Sequence, residues 1–182
     1  MKKNILILLG SPRVGGNSDQ MADAFARGAE AAGHVVNKIY ARDLNVFGCE
    51  ACNGCYQMEN MPCCHGDDFN KVAPMVEQAD VVVFAAPLYW YTFPTQLKRV
   101  IDNFYAFYCG KREIQGKRAV LLSCGEDSRY TMFDGIQRTY ELMMPILGWS
   151  NAGMVLVPGV NEVGDILETD ALKQCEQLGK TM

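Results

Sequence analysis

Five apolar runs alternate with five amphipathic stretches along this chain. Asn4–Leu9, Val35–Tyr40, Val81–Ala86, Lys117–Ser123 and Ala152–Val157 are short and rich in Val, Ile and Leu. Their length predicts strands, and the continuous β-branched run at Val81–Ala86 predicts a central one covered on both faces. The intervening stretches Ser18–Ala32, Asp68–Gln78, Pro94–Tyr108, Thr131–Leu147 and Glu168–Leu178 carry helical spacing. Gly33 ends the first, Pro94 suits the first turn of the third, and Pro145 is expected to break or shorten the last turn of the fourth. Strand–helix alternation predicts an α/β fold: one domain over residues 1–182, with a five-stranded parallel sheet and right-handed crossovers.

One segment breaks the pattern. Residues 41–67 have no periodicity, and unstructured segments of that length inside a compact domain are usually functional. Here Cys49, Cys52, Cys55 and Cys63 follow the spacing Cys-x2-Cys-x2-Cys-x7-Cys, with Cys64 directly behind. Thiolates grouped this tightly bind iron–sulfur clusters or zinc.

Composition narrows the reading. Hydrophobic residues make up 49% and charged residues 21%, ordinary for a globular protein. The net charge of −4 argues against nucleic acid or an anionic membrane as the main partner. No apolar run approaches the roughly 20 residues that span a bilayer. The start Met1-Lys2-Lys3 precedes only a short apolar run with no cleavage site, so a cytoplasmic location is expected. The eight cysteines should then be mostly reduced, which favours metal or redox chemistry over a disulfide framework.

Two turns carry candidate binding chemistry. After the first strand comes Gly10-Ser11-Pro12-Arg13-Val14-Gly15-Gly16-Asn17-Ser18, then a helix. Free N–H groups and the dipole at a helix N-terminus attract a phosphate. Ser11, Arg13, Gly16, Asn17 and Ser18 are the candidate phosphate contacts. The loop lacks the Lys of a Walker A sequence and the G-x-G-x-x-G of dinucleotide sites, which points to a monophosphate. The plainer alternative is a βα turn with Asn17 or Ser18 as N-cap. A phosphatase-type loop at Cys124–Arg129 is discounted, because Glu126 and Asp127 would repel phosphate.

The third strand ends in Pro87-Leu88-Tyr89-Trp90-Tyr91-Thr92-Phe93-Pro94. Ligands of open α/β sheets bind beyond the carboxyl ends of the strands, where strand order reverses. In a 2-1-3-4-5 sheet that point lies between strands one and three. An aromatic loop there can stack on a planar ring while the first turn holds the phosphate. Tyr91, Phe93 and Tyr105 are the expected wall facing an acceptor. The alternative is a dimerisation surface, extended by Phe104, Tyr105, Phe107 and Tyr108. Ser123, Gly125 and Glu126, at the end of strand four, would form a third edge of the crevice.

The Gly-Ser-Pro-Arg…Gly-Asn-Ser start, the Pro-Leu-Tyr-Trp…Pro-Thr-Gln-Leu-Lys-Arg-Val-Ile-Asp-Asn stretch and the Ser-Cys-Gly after strand four resemble the flavodoxin-like NAD(P)H-dependent FMN reductase family. The cysteine run followed by Asp67-Asp68 resembles its iron–sulfur flavoprotein branch. The resemblance implies a flavodoxin-like three-layer sandwich and non-covalent FMN. Ser11, Arg13, Asn17 and Ser18 match the phosphate loop, Pro87, Leu88, Tyr89 and Trp90 the isoalloxazine loop, and Ser123 and Gly125 the third loop. It implies electron transfer from NAD(P)H through FMN to a quinone, aromatic or protein acceptor, with no catalytic side chain. The alternative it implies is an iron–sulfur electron carrier without fast NAD(P)H turnover. Homodimers or homotetramers are also implied.

For the cysteine loop three readings stay open. Cys49, Cys52, Cys55 and Cys63 suit a 4Fe–4S centre. Zinc would use Cys49, Cys52, Cys63 and either Cys64 or His65. The third reading is no metal. Cys109, Cys124 and Cys175 read as small buried apolar residues.

Overall fold

The computed structural model describes residues 1–182. Its sheet contains β1 (Asn4–Leu9), β2 (Val35–Tyr40), β3 (Val81–Pro87), β4 (Arg118–Cys124) and β5 (Ser150–Val157). All pairings are parallel, in the order β2-β1-β3-β4-β5. The helices are α1 (Asn17–Ala31), α2 (Phe69–Gln78), α3 (Thr95–Asp102), α4 (Tyr105–Cys109), α5 (Asp134–Leu147) and α6 (Ala171–Lys180). This is the expected flavodoxin-like sandwich.

Strand alternation divides the apolar residues between two cores. Ile5, Ile7, Leu9, Val81, Val83 and Ala85 face α1 and α6. Leu6, Leu8, Val82, Phe84 and Ala86 face α2, α3 and α5. Phe84 is the hub of the second core, with aromatic rings of Phe93, Phe104, Tyr140 and Trp149 around it. On the first face α1 and α6 cross at backbone contact. A β-carbon on Gly28 would run into the carbonyl of Glu176, and one on Gly179 into that of Phe25.

Four expectations change. The helix over Pro94–Tyr108 is two helices, α3 and α4. The buried Asn103 ends α3 by donating from Nδ2 to the Arg99 carbonyl at 2.9 Å and the Phe47 carbonyl at 2.7 Å. A helix-interior asparagine that hydrogen-bonds backbone in this way competes with the helical ladder. Pro145 does not stop α5, which runs to Leu147. Gly148, at φ +68°, closes the helix end, with the Trp149 N–H donating to the Met144 carbonyl at 2.9 Å. The start of the last helix expectation, Glu168, lies in a 3₁₀ turn over Asp165–Glu168, and α6 begins at Ala171. Finally, Phe104 and Phe107 are core residues, so only Tyr105 and Tyr108 of that helix keep aromatic surface exposed.

Candidate active site

The chain leaves β1 for α1 on one face of the sheet and β3 for α3 on the other. That divergence opens a crevice at the carboxyl edge. A cavity of 360 Å³ fills it, inside the range of roughly 300–1,000 Å³ typical of small-molecule sites. Its walls include Ser11, Arg13, Gly16, Asn17 and Ser18 from the first turn, Pro87, Leu88, Tyr89 and Trp90 from the aromatic loop, and Gly125. Residues assigned to separate motifs thus share one space.

The first turn is built tightly. The Ser11 hydroxyl turns inward, accepting from the Arg13 N–H and donating to the Arg13 carbonyl, each at 3.1 Å. Asn17 is a strut between loops. Its Nδ2 donates to the Glu162 carbonyl at 2.7 Å, and its Oδ1 accepts from the Gly164 N–H at 2.9 Å. Arg13 reaches the Asn161 carbonyl at 3.1 Å. Ser18 differs: its hydroxyl is buried and has no protein partner. A buried, unpaired hydroxyl in the first turn of a helix costs free energy unless a ligand accepts from it. A phosphate at the N-terminus of α1 would satisfy it, so this half of the crevice fits FMN.

Asp19 and Arg42 lock the turn from behind. The Asp19 carboxylate accepts from the Gly15 N–H at 3.1 Å and from Arg42 Nη1 at 3.2 Å. The same Nη1 donates to the carbonyls of Ser11 and Arg13. Burial pushes the Asp19 carboxyl up, and Arg42 beside it opposes that shift. Neither residue was expected from the sequence. An acid inside a phosphate loop reads as unfavourable until its cationic partner, distant in sequence, is known.

The aromatic half is strained. Trp90 and Tyr91 have φ of +46° and +64°. They form a two-residue turn, closed by reciprocal 3.0 Å hydrogen bonds between Tyr89 and Thr92. Such turns favour Asn-Gly, because bulky side chains disfavour positive φ. The turn rests on α5, where a β-carbon on Gly135 would come within 2.5 Å of the Tyr91 carbonyl oxygen. Trp90 stands 92% exposed at the cavity mouth. The expected acceptor wall is corrected. Phe93 is core, 5.9 Å from Phe84, and Tyr105 borders the cysteine loop instead. Tyr91 remains exposed.

At the third edge, Gly125 and Glu126 reach the cavity and Ser123 does not. β4 alternates, sending Cys124 to the α1 face and Ser123 to the opposite one, where its hydroxyl is buried without a partner. A β-carbon on Gly125 would come within 2.8 Å of Met132 Cε and 3.2 Å of Leu88 Cβ, so this edge is closely packed. Cys124 also lines the cavity, as do Val160 and Asn161, which carried no sequence signal. Burial pushes the Cys124 thiol up to about 12, and the Cys175 thiol likewise.

The cysteine loop folds against α3 and α4. Cys49, Cys52, Cys55 and Cys63 border a common space, together with His65, Asn103 and Tyr105. That space is only about 20 Å³, close to the ~10–15 Å³ one water requires. The four cysteines of the regular spacing thus converge on one small space. Cys55 and Cys63 belong to the apolar core, and burial raises both thiols. The donors that approach most closely are Cys52, Cys64 and His65. Cys52 is drawn below its ordinary range by the Gly54 N–H, Cys64 and His65.

Fold and crevice together define a flavodoxin-like α/β protein whose crevice sets the N-terminus of α1 against an aromatic loop. The chain matches the NADPH-dependent FMN reductase family over residues 3–163 and belongs to it. It is an oxidoreductase with FMN as cofactor and NAD(P)H as co-substrate. An iron-sulfur flavoprotein of Archaeoglobus fulgidus is 28% identical over 176 residues, covering 94% of this chain and 75% of that protein. YwqN of Bacillus subtilis, named as an NAD(P)H-dependent FMN-containing oxidoreductase, is 26% identical over 183 residues, covering 97% and 96%. The solved NAD(P)H:quinone oxidoreductase from Methanothermobacter marburgensis superposes with a TM-score of 0.77 at 21% identity, over 100% of this chain and 96% of that one. No helix is long and apolar enough to cross a membrane.

Proposed function

We propose that the chain passes electrons from NAD(P)H, through FMN held in the crevice, to a small planar acceptor of the quinone class. Ser18 would meet the phosphate, joined by the backbone at Gly16 and by Arg13. Pro87, Leu88, Tyr89 and Trp90 would border the ring, with Gly125 and Glu126 opposite. Bound FMN supplies the redox chemistry, and the chain supplies position and a partly dry wall. On this reading no side chain acts as acid or base.

The carrying observation is the Trp90 turn. Trp90, its backbone in the left-handed region, stands 92% exposed at the mouth of the crevice. Such outliers persist where the surroundings impose them, and they cluster at functional sites. A flat aromatic surface beside the ring site suits a planar acceptor. The quinone activity in the name of the Methanothermobacter protein supports the same class.

The test is anaerobic NAD(P)H oxidation by FMN-loaded protein, with and without a benzoquinone. Quinone-dependent turnover is expected. Trp90→Ala, assayed at saturating FMN, should lower kcat/KM for the quinone by about tenfold, the upper end of an aromatic stacking contribution. Flavin that stays oxidised in excess NAD(P)H would overturn the proposal.

A further inference from the structure

The cysteine loop holds a donor set that the regular cysteine spacing does not describe. Cys52 Sγ lies 3.6 Å from Cys64 Sγ and 3.4 Å from His65 Nε2. All three donor atoms lie within 4.8 Å of one another. Zinc bonds of about 2.3 Å to sulfur and about 2.0 Å to nitrogen, at tetrahedral angles, require donor separations of about 3.8 Å and about 3.5 Å. Both edges at Cys52 therefore already have the lengths that one shared ion demands.

The backbone holds these donors in place from three sides. Cys52 sits between Ala51 and Asn53, both at positive φ (+54° and +58°), so the chain kinks on either side to present its sulfur. Gly54 leaves the space that the Cys64 sulfur occupies, and a β-carbon there would collide with it. From α2, Asn70 clamps the segment carrying the other two donors. Its Nδ2 donates to the carbonyls of Cys63 at 3.0 Å and His65 at 2.8 Å, and its Oδ1 accepts from the Cys63 N–H at 2.9 Å.

We propose that Cys52, Cys64 and His65 bind a single zinc ion, with water or the Glu50 carboxylate closing the fourth position. Glu50 Oε2 stands 3.8 Å from His65 Nε2. Two thiolates and an imidazole form a soft donor set that selects zinc over magnesium or calcium. The ion would tie residues 50–54 to residues 63–67 and so act as a staple for the loop. Because Cys52 is common to both donor sets, this site excludes a cluster on Cys49, Cys52, Cys55 and Cys63. It does not depend on the acceptor proposed above, since its readouts are metal content and loop protection.

The experiment uses the full FMN-loaded chain, purified under reducing, anaerobic conditions, with zinc, iron and acid-labile sulfide measured on one sample. Zinc and cobalt are then titrated into metal-stripped protein. One zinc per chain is expected, together with a thiolate-to-cobalt charge-transfer band and slower proteolysis of the loop when zinc is present. Cys64→Ser and His65→Ala should each weaken zinc binding at least tenfold, while Cys49→Ser keeps it. These three side chains are at the surface or half-buried, and retained FMN will verify that each variant folds. Four irons with matching sulfide, lost in Cys49→Ser and kept in Cys64→Ser and His65→Ala, would overturn the proposal. So would a Cys52–Cys64 disulfide forming in air with no zinc affinity in the reduced protein.

Discussion

The strand-end crevice and the cysteine loop lie at the same edge of the sheet, yet they are built differently. The crevice grows directly out of strand ends. Its first turn follows β1 without a spacer, and its aromatic loop follows β3 in the same way. Both inherit the rigidity of the central strands, and the buried Asp19–Arg42 pair adds a second lock. The cysteine loop has little regular structure, only 3₁₀ turns over Ala41–Asp43 and Gly54–Gln57. Side-chain clips hold it instead. Asn103 reaches Phe47, Asn70 reaches Cys63 and His65, and the Asp67 and Asp68 carboxylates accept from the N–H groups of Phe47 and Asn45. A site on strand ends is placed by the sheet, whereas a site on a long loop is placed by a few polar contacts, each open to separate removal.

The strongest break of that contrast is on the crevice side. Arg42→Ala leaves the buried Asp19 carboxylate without its counter-charge, and breaking a buried pair costs roughly 3–5 kcal/mol. Denaturant unfolding of the FMN-free protein should show a loss of about 3 kcal/mol at neutral pH. The pH dependence has a definite sign. Burial raises the Asp19 pKa above its unfolded value, so the folded protein takes up the proton first on acidification. The Arg42→Ala deficit should therefore shrink as pH falls through the folded pKa of Asp19. A deficit constant with pH would remove Asp19 from the explanation.

A smaller break is expected in the loop. Asn103→Ala deletes the bond to Phe47 and leaves that carbonyl unpaired, a cost of about 1–3 kcal/mol. Its signature is local. Hydrogen exchange should rise over residues 44–67 while α1 and the central strands stay protected. Uniform loosening of the sheet would mean that the loop is not a separate unit.

The smallest stability effect should accompany a clear binding effect. Ser18→Ala removes a hydroxyl that has no partner in the FMN-free protein, so the unfolding midpoint should hardly move. FMN affinity, read by fluorescence titration, should fall about tenfold, the value of one hydrogen bond to a charged group. Unchanged affinity would mean that the phosphate does not sit at the N-terminus of α1.

Much of the crevice was legible because its chemistry is contiguous. Gly10–Ser18 and Pro87–Trp90 each directly follow an apolar run, and a parallel sheet has one way to bring two such strand ends together. The roles inside the motif were less legible. Ser11 and Asn17 spend their polar atoms on the protein itself, whereas Ser18 keeps its hydroxyl free. Phe93 and Phe107 looked like surface aromatics but fill the core, because nothing in a run of aromatics says which face each ring takes.

The sequence by itself determined the order of elements, the parallel sheet and the two strand-end loops that form the crevice, because hydrophobic periodicity and short connections leave few alternatives. Only the tertiary structure decided that Arg42 backs the first turn, that Asn103 cuts a long helix to reach Phe47, and that Cys52 meets Cys64 and His65. Each depends on residues far apart in the chain, or on which side of an irregular backbone a side chain falls. No local pattern encodes such distances; packing sets them.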